Sequence, residues 1–487
     1  MMLSTNRGTS ATSLQRATIH DPIVSDQTMP QLAIALDPLL MQLHFQSLLF
    51  GNSGITAAAS ATDYEVHTCE VVRVKYRAGE KCVISYRLQI QKRRSNRLIE
   101  QWLSARLFPT GTAASRYHKA LREPLTPPPF GDAVMFLPKL DMVIWAFPND
   151  RKIGGLPALL AAAAHETDQL DALVAGRWGA TTIIVAHDYR LIHYVPEHTC
   201  TVREQLLLAD TTTGQTWPAT LFAKAYYNEE GAETFRLMQQ LWQRAACRQG
   251  HLRIAQPIAY CAVDQVLWQE GLPGHTLLTY ALGTPAFDEL LAEAAQAVAW
   301  LHTADLPCQR QSAQQEWVNL IDQRKQLVIQ SRPHLAGAVD TLAVALRCLT
   351  PSISGAPMAT LHGDLHLQNF LVDDDAAAGK RVALIDLDNL CTGMPWQDLG
   401  SFCAGLYYRG LVDHVPQSLI HRSIDGFLQS YATSVPWPLD RGAINWYTAA
   451  ALLHERAFRS IARMKEGRLA LVDDLVRIAT DLLLGQL

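Results

Sequence analysis

Three polar residues stand close together in an otherwise apolar part of the chain. In LHGDLHLQNFLV (361–372), Asp364 and Asn369 lie five positions apart on an expected loop between apolar segments. In ALIDLDNL (383–390), Asp386 follows an apolar strand. This set suits phosphoryl transfer. One carboxylate orients an attacking hydroxyl, while an amide oxygen and a second carboxylate hold Mg²⁺ against nucleotide phosphates. Magnesium is a hard cation that prefers oxygen, so Asn with Asp is suitable donor chemistry where His with Cys is not. Further upstream, Lys224 in LFAKAYY lies on an expected strand, and Glu233 lies on the helix that follows.

The elements that must carry these residues change character along the chain. Asp37-Pro38 opens the apolar run LLMQLHFQSLLF as a capped helix with proline in its first turn. From residue 64 the period shortens, and EVVRVKYRAGEKCVISYRLQI alternates around a Gly-containing turn as a β-hairpin. The run LIHYVPEHTCTVREQLLL (191–208) has the same layout 118 positions later. At that offset Tyr76 matches Tyr194, Cys82 matches Cys200, Leu88 matches Leu206, Leu103 matches Leu221 and Ala105 matches Ala223. LDMVIW (140–145) echoes VDQVLW (263–268) at a slightly larger offset. The chain therefore reads as a duplicated strand–hairpin–strand–helix unit. The copies differ where chemistry is expected: Arg106 stands in the first copy where Lys224 stands in the second, and Ser115 where Glu233 stands. The lysine–carboxylate pair thus belongs to the second copy alone. From residue 276 the pattern turns mostly helical, with Leu290, Leu291, Ala294, Val298 and Leu301 on one helical face.

Composition narrows the function classes. The 487 residues are 48% hydrophobic and 18% charged, which is ordinary globular composition. A net charge of −4 does not advertise a polyanion, so nucleic acid is not an expected partner. No apolar run approaches the roughly 18 residues of a membrane helix. The start, MMLSTNRGTSATSLQ, lacks a signal-peptide core and reads as a frayed tail, with a transit peptide as the alternative. A soluble, cytoplasmic protein is expected. The nine cysteines are scattered without a CxxC pair, which argues for reduced thiols rather than a zinc site. Residues 276–487 hold 16 Lys and Arg against 22 Asp and Glu, an acidic excess that favours a cationic acceptor.

At H-G-D-x-x-x-x-N and I-D-x-D the sequence resembles the aminoglycoside phosphotransferase and choline kinase family, small-molecule kinases with a protein-kinase-like fold. The resemblance spans about residues 185–480. It implies Asp364 as catalytic base, Asn369 and Asp386 as magnesium ligands, and Lys224 on the α/β-phosphates of ATP. Glu233 is then the helix carboxylate that positions Lys224, and Gln269, Glu270 and Gly271 in WQEGLPG form the hinge that meets adenine. His366 is divided between facing the γ-phosphate and packing the loop. Asp388 takes a secondary role, and Asp398 in WQDLG anchors the catalytic loop from a helix start. The LIHYVPEHTC run is similar to the sugar-kinase-like branch that includes maltokinase-type and glucosamine-kinase-like enzymes. The hairpin YVPEHTCTV departs from the pattern in having no glycine, which leaves His198, Thr199 or nearby amides for the phosphates.

The expected fold is therefore α+β, a protein-kinase-like bilobal structure with a duplicated N-lobe-like unit in front. The expected divisions are a tail and helix over 1–60, a degenerate repeat over 61–180, the nucleotide-binding N-lobe over 181–275 and the helical C-lobe over 276–487. The first repeat caps the cleft, shapes the acceptor side or mediates a dimer. The expected reaction moves the γ-phosphate of ATP, with Mg²⁺, to a hydroxyl of a small molecule such as an amino sugar, a sugar, an aminoglycoside or a choline-like alcohol. A pseudokinase, serving as a nucleotide sensor or scaffold, is the alternative. A protein kinase is disfavoured, because GMPWQDLG follows Asp386 within about a dozen residues and no A-P-E segment intervenes. Trp437, Trp446 and Tyr447 either wall a cation or belong to a core.

Overall fold

The computed structural model describes residues 26–51, 63–93 and 97–485; the Ser/Thr-rich start of the chain lies outside them. Helix α1 (Leu32–Leu36) leads into α2 (Pro38–Phe50), where Asp37 accepts hydrogen bonds from the Leu39 and Leu40 N–H groups and Pro38 occupies the first turn. Strands β1 (Tyr64–Arg77), β2 (Lys81–Lys92) and β3 (Leu98–Leu107) follow, then α3 (Ala113–Ala120), β4 (Val134–Leu137) and β5 (Met142–Ala146). They form an antiparallel sheet in the order β1-β2-β3-β5-β4.

The series then recurs. Helices α4 (Leu156–Ala163) and α5 (Gln169–Trp178) precede β6 (Thr182–Val195), β7 (Thr199–Asp210) and β8 (Thr216–Tyr226). Helix α6 (Glu230–Gln243), the short α7 (Ala245–Arg248) and β9 (Arg253–Ile254) come next, before β10 (Pro257–Cys261) and β11 (Val266–Glu270). The second sheet has the equivalent order, β6-β7-β8-β11-β10. The hairpin registers also agree, with Tyr76 opposite Cys82 and Tyr194 opposite Cys200.

Each copy begins earlier than the hairpin pattern indicates. Asp26 accepts from the Tyr76 hydroxyl (2.9 Å) and the Gly79 N–H (3.0 Å), while Asp150 accepts from the Tyr194 hydroxyl (2.7 Å) and the Glu197 N–H (3.0 Å). The same carboxylate, followed by the same pair of helices, thus ties each hairpin turn to its own sheet. These aspartates are 124 positions apart rather than 118, so a search at one fixed offset passes over them. We place the start of each unit at its aspartate rather than near residues 61 and 181.

Both sheets are covered on two faces. In the first, Tyr86 packs edge-on against Phe45 of α2 (5.0 Å between rings) and donates to the Ala35 carbonyl (2.6 Å), while α3 covers the opposite face over Val143 and Trp145. In the second, Leu156, Leu159, Leu170 and Val174 from α4 and α5 cover Cys200, Val202, Leu206 and Leu208. Leu237, Met238 and Leu241 of α6 lie on the other side.

The C-lobe begins with β12 (His275–Thr276) and α8 (Pro285–His302), then α9 (Gln314–Ser331) and α10 (Ala336–Cys348). Strands β13 (Ala359–Leu361), β14 (Phe370–Val372), β15 (Val382–Leu384) and β16 (Cys391–Gly393) carry the polar loops. Helices α11 (Trp396–Val412), α12 (Gln417–Ala432) and α13 (Arg441–Ala451) follow, then a π-helical turn over Leu452–Ala457, α14 (Phe458–Ala462) and α15 (Val472–Leu483). Trp446 and Tyr447 are fully buried in this lobe, and Trp446 donates to the Leu346 carbonyl (2.8 Å), so they serve the core rather than a cation wall. All nine cysteines are free. No helix among the described residues is long and apolar enough to cross a membrane.

One position breaks the internal symmetry at a cost. Where the first copy has Tyr86, the second has Glu204, fully buried beneath α4 and α5 with neither carboxylate oxygen hydrogen-bonded. Burial, reinforced by the charge of Asp188, pushes Glu204 up to about 8. The native protein holds a proton that the unfolded chain has already released. Stability from this site is therefore complete below the ordinary carboxylate range and is lost as pH rises towards 8, by at most about 1.4 kcal/mol per pH unit. Glu204→Gln is expected to flatten the fall in urea-unfolding stability between pH 5 and 8 seen in the parent. Parallel stability–pH curves for the two proteins would refute the assignment.

Candidate active site

The catalytic-type loop is built around a buried carboxylate. Asp398, in the first turn of α11, accepts from the backbone N–H groups of His362 (2.6 Å) and Gly363 (3.0 Å). His302 at the end of α8 stands 3.2 Å from the same carboxylate and 2.8 Å from the Tyr431 hydroxyl. Burial opposes ionisation of Asp398, but the bonds and charges of His302 and His362 hold it below the ordinary carboxylate range. The role read for Asp398 from sequence is the one its bonds describe. Gly363 has φ +77°, and a Cβ there would meet the Asn389 carbonyl oxygen at 2.2 Å, so both conformation and space require glycine. His362 is fully buried with its Nε2 donating to the Ile385 carbonyl (3.0 Å), a structural support for the strand that leads to Asp386.

That framework sets the polar trio. Asp364 leaves the loop half-buried, with His366 Nε2 at 3.7 Å from its carboxylate. Burial depresses the His366 imidazole against the raising effect of the Asp364 carboxylate, with Arg456 and His362 adding to the depression. Asn369 is buried and donates its amide to the Asp364 carbonyl (2.9 Å), which leaves its side-chain oxygen as the free end. Asp386, in the left-handed region (φ 60°), turns out of β15 towards the other lobe. The Lys224 ammonium lies 2.6 Å from Asp386 and 2.5 Å from Asp388, and the Tyr226 hydroxyl donates to Asp388 (2.7 Å). Burial alone would lower Lys224; the two carboxylates raise it well above its ordinary value and keep it charged. Asp388 was given only a secondary role from sequence, yet it is a full partner of the lysine.

Glu233 does not hold Lys224. Its carboxylate is bonded by Arg236 (2.6 Å) and approached by the Gln309 N–H (3.5 Å). The physical reason is helical phase. Gly231, Thr234, Leu237, Met238 and Leu241 form the buried face of α6, and Glu233 points aside from it. Gln269, Glu270 and Gly271 do end β11 at the passage between lobes. The Glu270 N–H already donates to Gln256 (2.9 Å), the Gly271 N–H to Thr220 (2.7 Å), and the Glu270 carboxylate accepts from Arg177 (2.9 Å). Those two amides are spent within the sheet and are not free for a ligand.

The glycine-free hairpin also has a structural explanation. Glu197 occupies the left-handed position (φ 61°) that Gly79 (φ 68°) holds in the first copy. Its side chain is bound by Arg106 of the first repeat (3.0 Å) and by Arg151 at the start of its own unit (2.6 Å). Burial opposes ionisation, and the two guanidiniums hold the carboxyl below its usual range. Arg106, the counterpart of Lys224, is therefore occupied by the second copy's own loop.

The donor set for a metal is all oxygen: the Asn369 amide oxygen and the Asp386 carboxylate. Among the described residues no group of three or more His, Cys, Asp or Glu side chains gathers around a common point. A cation held here must draw its other ligands from phosphate and water, which is how Mg²⁺ is bound in nucleotide sites. The residues fit that ion.

Residues 204–432 match the profile of the phosphotransferase enzyme family. The rest of the molecule, including the first repeat and the last helices, lies outside the match. No curated protein matches the sequence. Among solved structures, a Ralstonia eutropha protein described as an aminoglycoside phosphotransferase is 15% identical, with TM-score 0.45, covering 67% of this chain and 98% of its own. An ethanolamine kinase of Plasmodium vivax is 12% identical, with TM-score 0.40, covering 70% and 98%. The Streptomyces rimosus aminoglycoside phosphotransferase APH(3'')-Id is 16% identical, with TM-score 0.38, covering 63% and 98%.

The anchoring role of Asp398 has a direct check. Asp398→Asn keeps the shape but removes the charge that receives two backbone N–H groups, and is expected to cost about 2 kcal/mol or more in urea unfolding. An unchanged midpoint would show that the loop is held some other way.

Proposed function

We propose that the protein transfers the γ-phosphate of Mg·ATP to a hydroxyl of a small molecule, with Asp364 as the base. The observation that supports this reading is the convergence of Asp364 and Asn369 from the loop after β13, Asp386 from the turn after β15 and Lys224 from β8 at one mouth between the lobes. The bound ion and triphosphate supply the electrophile and neutralise its charge. Lys224 parts from Asp386 and Asp388 to meet the phosphates, exchanging one pair of anions for another. Asn369 and Asp386 would hold the metal through their side-chain oxygens. Asp364 orients the acceptor hydroxyl and takes its proton as the oxygen–phosphorus bond forms. The bridging bond to the β-phosphate breaks, its electron pair leaves with ADP, and the proton on Asp364 passes to solvent.

The first repeat does not repeat this chemistry. Arg106 replaces the lysine, and Glu197 occupies it. Its place in the reading is to hold the phosphate-side hairpin of the second copy in position through the Arg106–Glu197–Arg151 clamp.

Two variants separate chemistry from binding. Asp364→Asn is expected to reduce ADP release with an active acceptor at least a hundredfold while Mg·ATP binding by calorimetry stays near the parent value. Lys224→Ala is expected to weaken both. Turnover in Asp364→Asn equal to the parent would rule out the base.

A further inference from the structure

Helix α11 packs on the lobe with two opposite faces. On one, the Ser401 hydroxyl stands 3.5 Å from Glu455, and a Cβ on Gly405 would lie 3.3 Å from the Arg456 guanidinium, so this face meets the π-helical turn. Cys403 and Tyr407 follow those residues by two positions each, about 200° further around the helix. They face a cavity of about 210 Å³ enclosed by α11, α12, α13 and α15.

The floor of this cavity is apolar. Ile424, Leu428, Ile444 and Leu482 are all buried, and Cys403 beside them is a free thiol. Tyr407 supplies the polar point of the wall. It is 4% exposed, yet its hydroxyl makes no hydrogen bond among the described residues. Buried hydroxyls ordinarily have a partner, so one left free on a cavity wall points to an occupant. The Tyr407 ring also meets the His421 ring edge to face, with centroids 5.6 Å apart, which closes one end with aromatic surface.

The rim is polar without a free charge to offer. Arg441 of α13 is salt-bridged to Asp425 of α12, and Asn445 adds a neutral amide. Burial depresses the His421 imidazole, with Asp425 opposing and Arg441 adding to the effect, which favours its uncharged form. A charged ligand must break the Arg441–Asp425 pair or lose its own hydration beside it, and an uncharged one need do neither. Size sets the rest. An apolar cavity of about 150 Å³ accepts benzene, so this one has room for a single ring with its substituents.

We propose that the cavity is a second small-molecule site, which takes an uncharged, single-ring compound carrying a hydroxyl or N–H group, with its ring on the apolar floor and its polar group at the Tyr407 hydroxyl. The site does not depend on the phosphotransferase reading. It is placed to steady the catalytic-type loop. Helix α11 carries Asp398, which receives the His362 and Gly363 N–H groups, and α12 carries Tyr431, which bonds His302 beside the same carboxylate. A ring lodged between these helices braces both supports of that loop.

The test titrates phenol and indole into the full chain by calorimetry, with benzoate and benzylamine as charged counterparts of similar size. Saturable phenol binding is expected, roughly tenfold or more tighter than either ion. Tyr407→Phe is expected to weaken it about fivefold or more. Cys403→Met, whose longer side chain fills the cavity, is expected to abolish it. Bound phenol is expected to raise the Tm of the parent and to slow amide exchange at His362 and Gly363. Absence of saturable phenol and indole binding would show a cavity that holds water only and overturns the proposal. Binding equal in the parent and both variants overturns it too, as does a preference for either ion. Should Cys403→Met fail to fold, Tyr407→Phe keeps the ring and decides the matter alone. Binding that leaves exchange at His362 and Gly363 unchanged overturns the link to the loop and supports the site itself.

Discussion

The ammonium of Lys224 is held between two carboxylates that belong to the other lobe, and the architecture is organised around that contact. Lys224 sits near the C-terminal end of β8, paired with Thr201 on one side and Leu267 on the other. Asp386 and Asp388 follow β15, a strand that itself pairs in parallel with β9 of the N-terminal half. The two lobes therefore share a sheet as well as an ion cluster. Three charges brought together with partial loss of water persist only when each has a partner. Here Lys224 answers both carboxylates, and the Tyr226 hydroxyl satisfies a further Asp388 oxygen.

The duplication shows how one scaffold diverges by redirecting single side chains. Asp26 and Asp150 perform the same task in the two copies, each pinning a tyrosine hydroxyl and a left-handed turn. At that turn the first copy has Gly79 and the second has Glu197, a residue that adopts φ above zero less readily. The strain is sustained because the carboxylate gains Arg106 and Arg151. Arg106, at the position equivalent to Lys224, offers a guanidinium that pairs with Glu197 and joins the two repeats.

Much of the fold was readable because it rests on short-range pattern. The hairpin periods, the 118-residue offset and the amphipathic stripe of α8 are local signals, and each element stands where they indicate. The placement of Asp364 and Asn369 together on one loop and of Asp386 just after an apolar strand follows the same short-range pattern. What the sequence concealed depends on helical phase or on long-range partners. Glu233 lies in the right helix but a third of a turn from the buried face, and no spacing rule chooses between it and the alternatives without the neighbouring strand. Glu197 is unremarkable in sequence, because its partners are 91 and 46 positions away. The helix pair of each repeat was hidden by a shift in offset from 118 to 124, which a fixed-register comparison reads as loss of similarity.

The acceptor side shows why charge totals mislead about sites. Several of the C-lobe's acids are already paired: Glu293 with Arg381, Asp288 with Arg422 and Asp473 with Arg332 inside the lobe, and Asp373 with Arg253 from outside it. An acid already paired with an arginine contributes little field at a distance, because the pair looks neutral beyond a few ångströms and solvent screens the remainder.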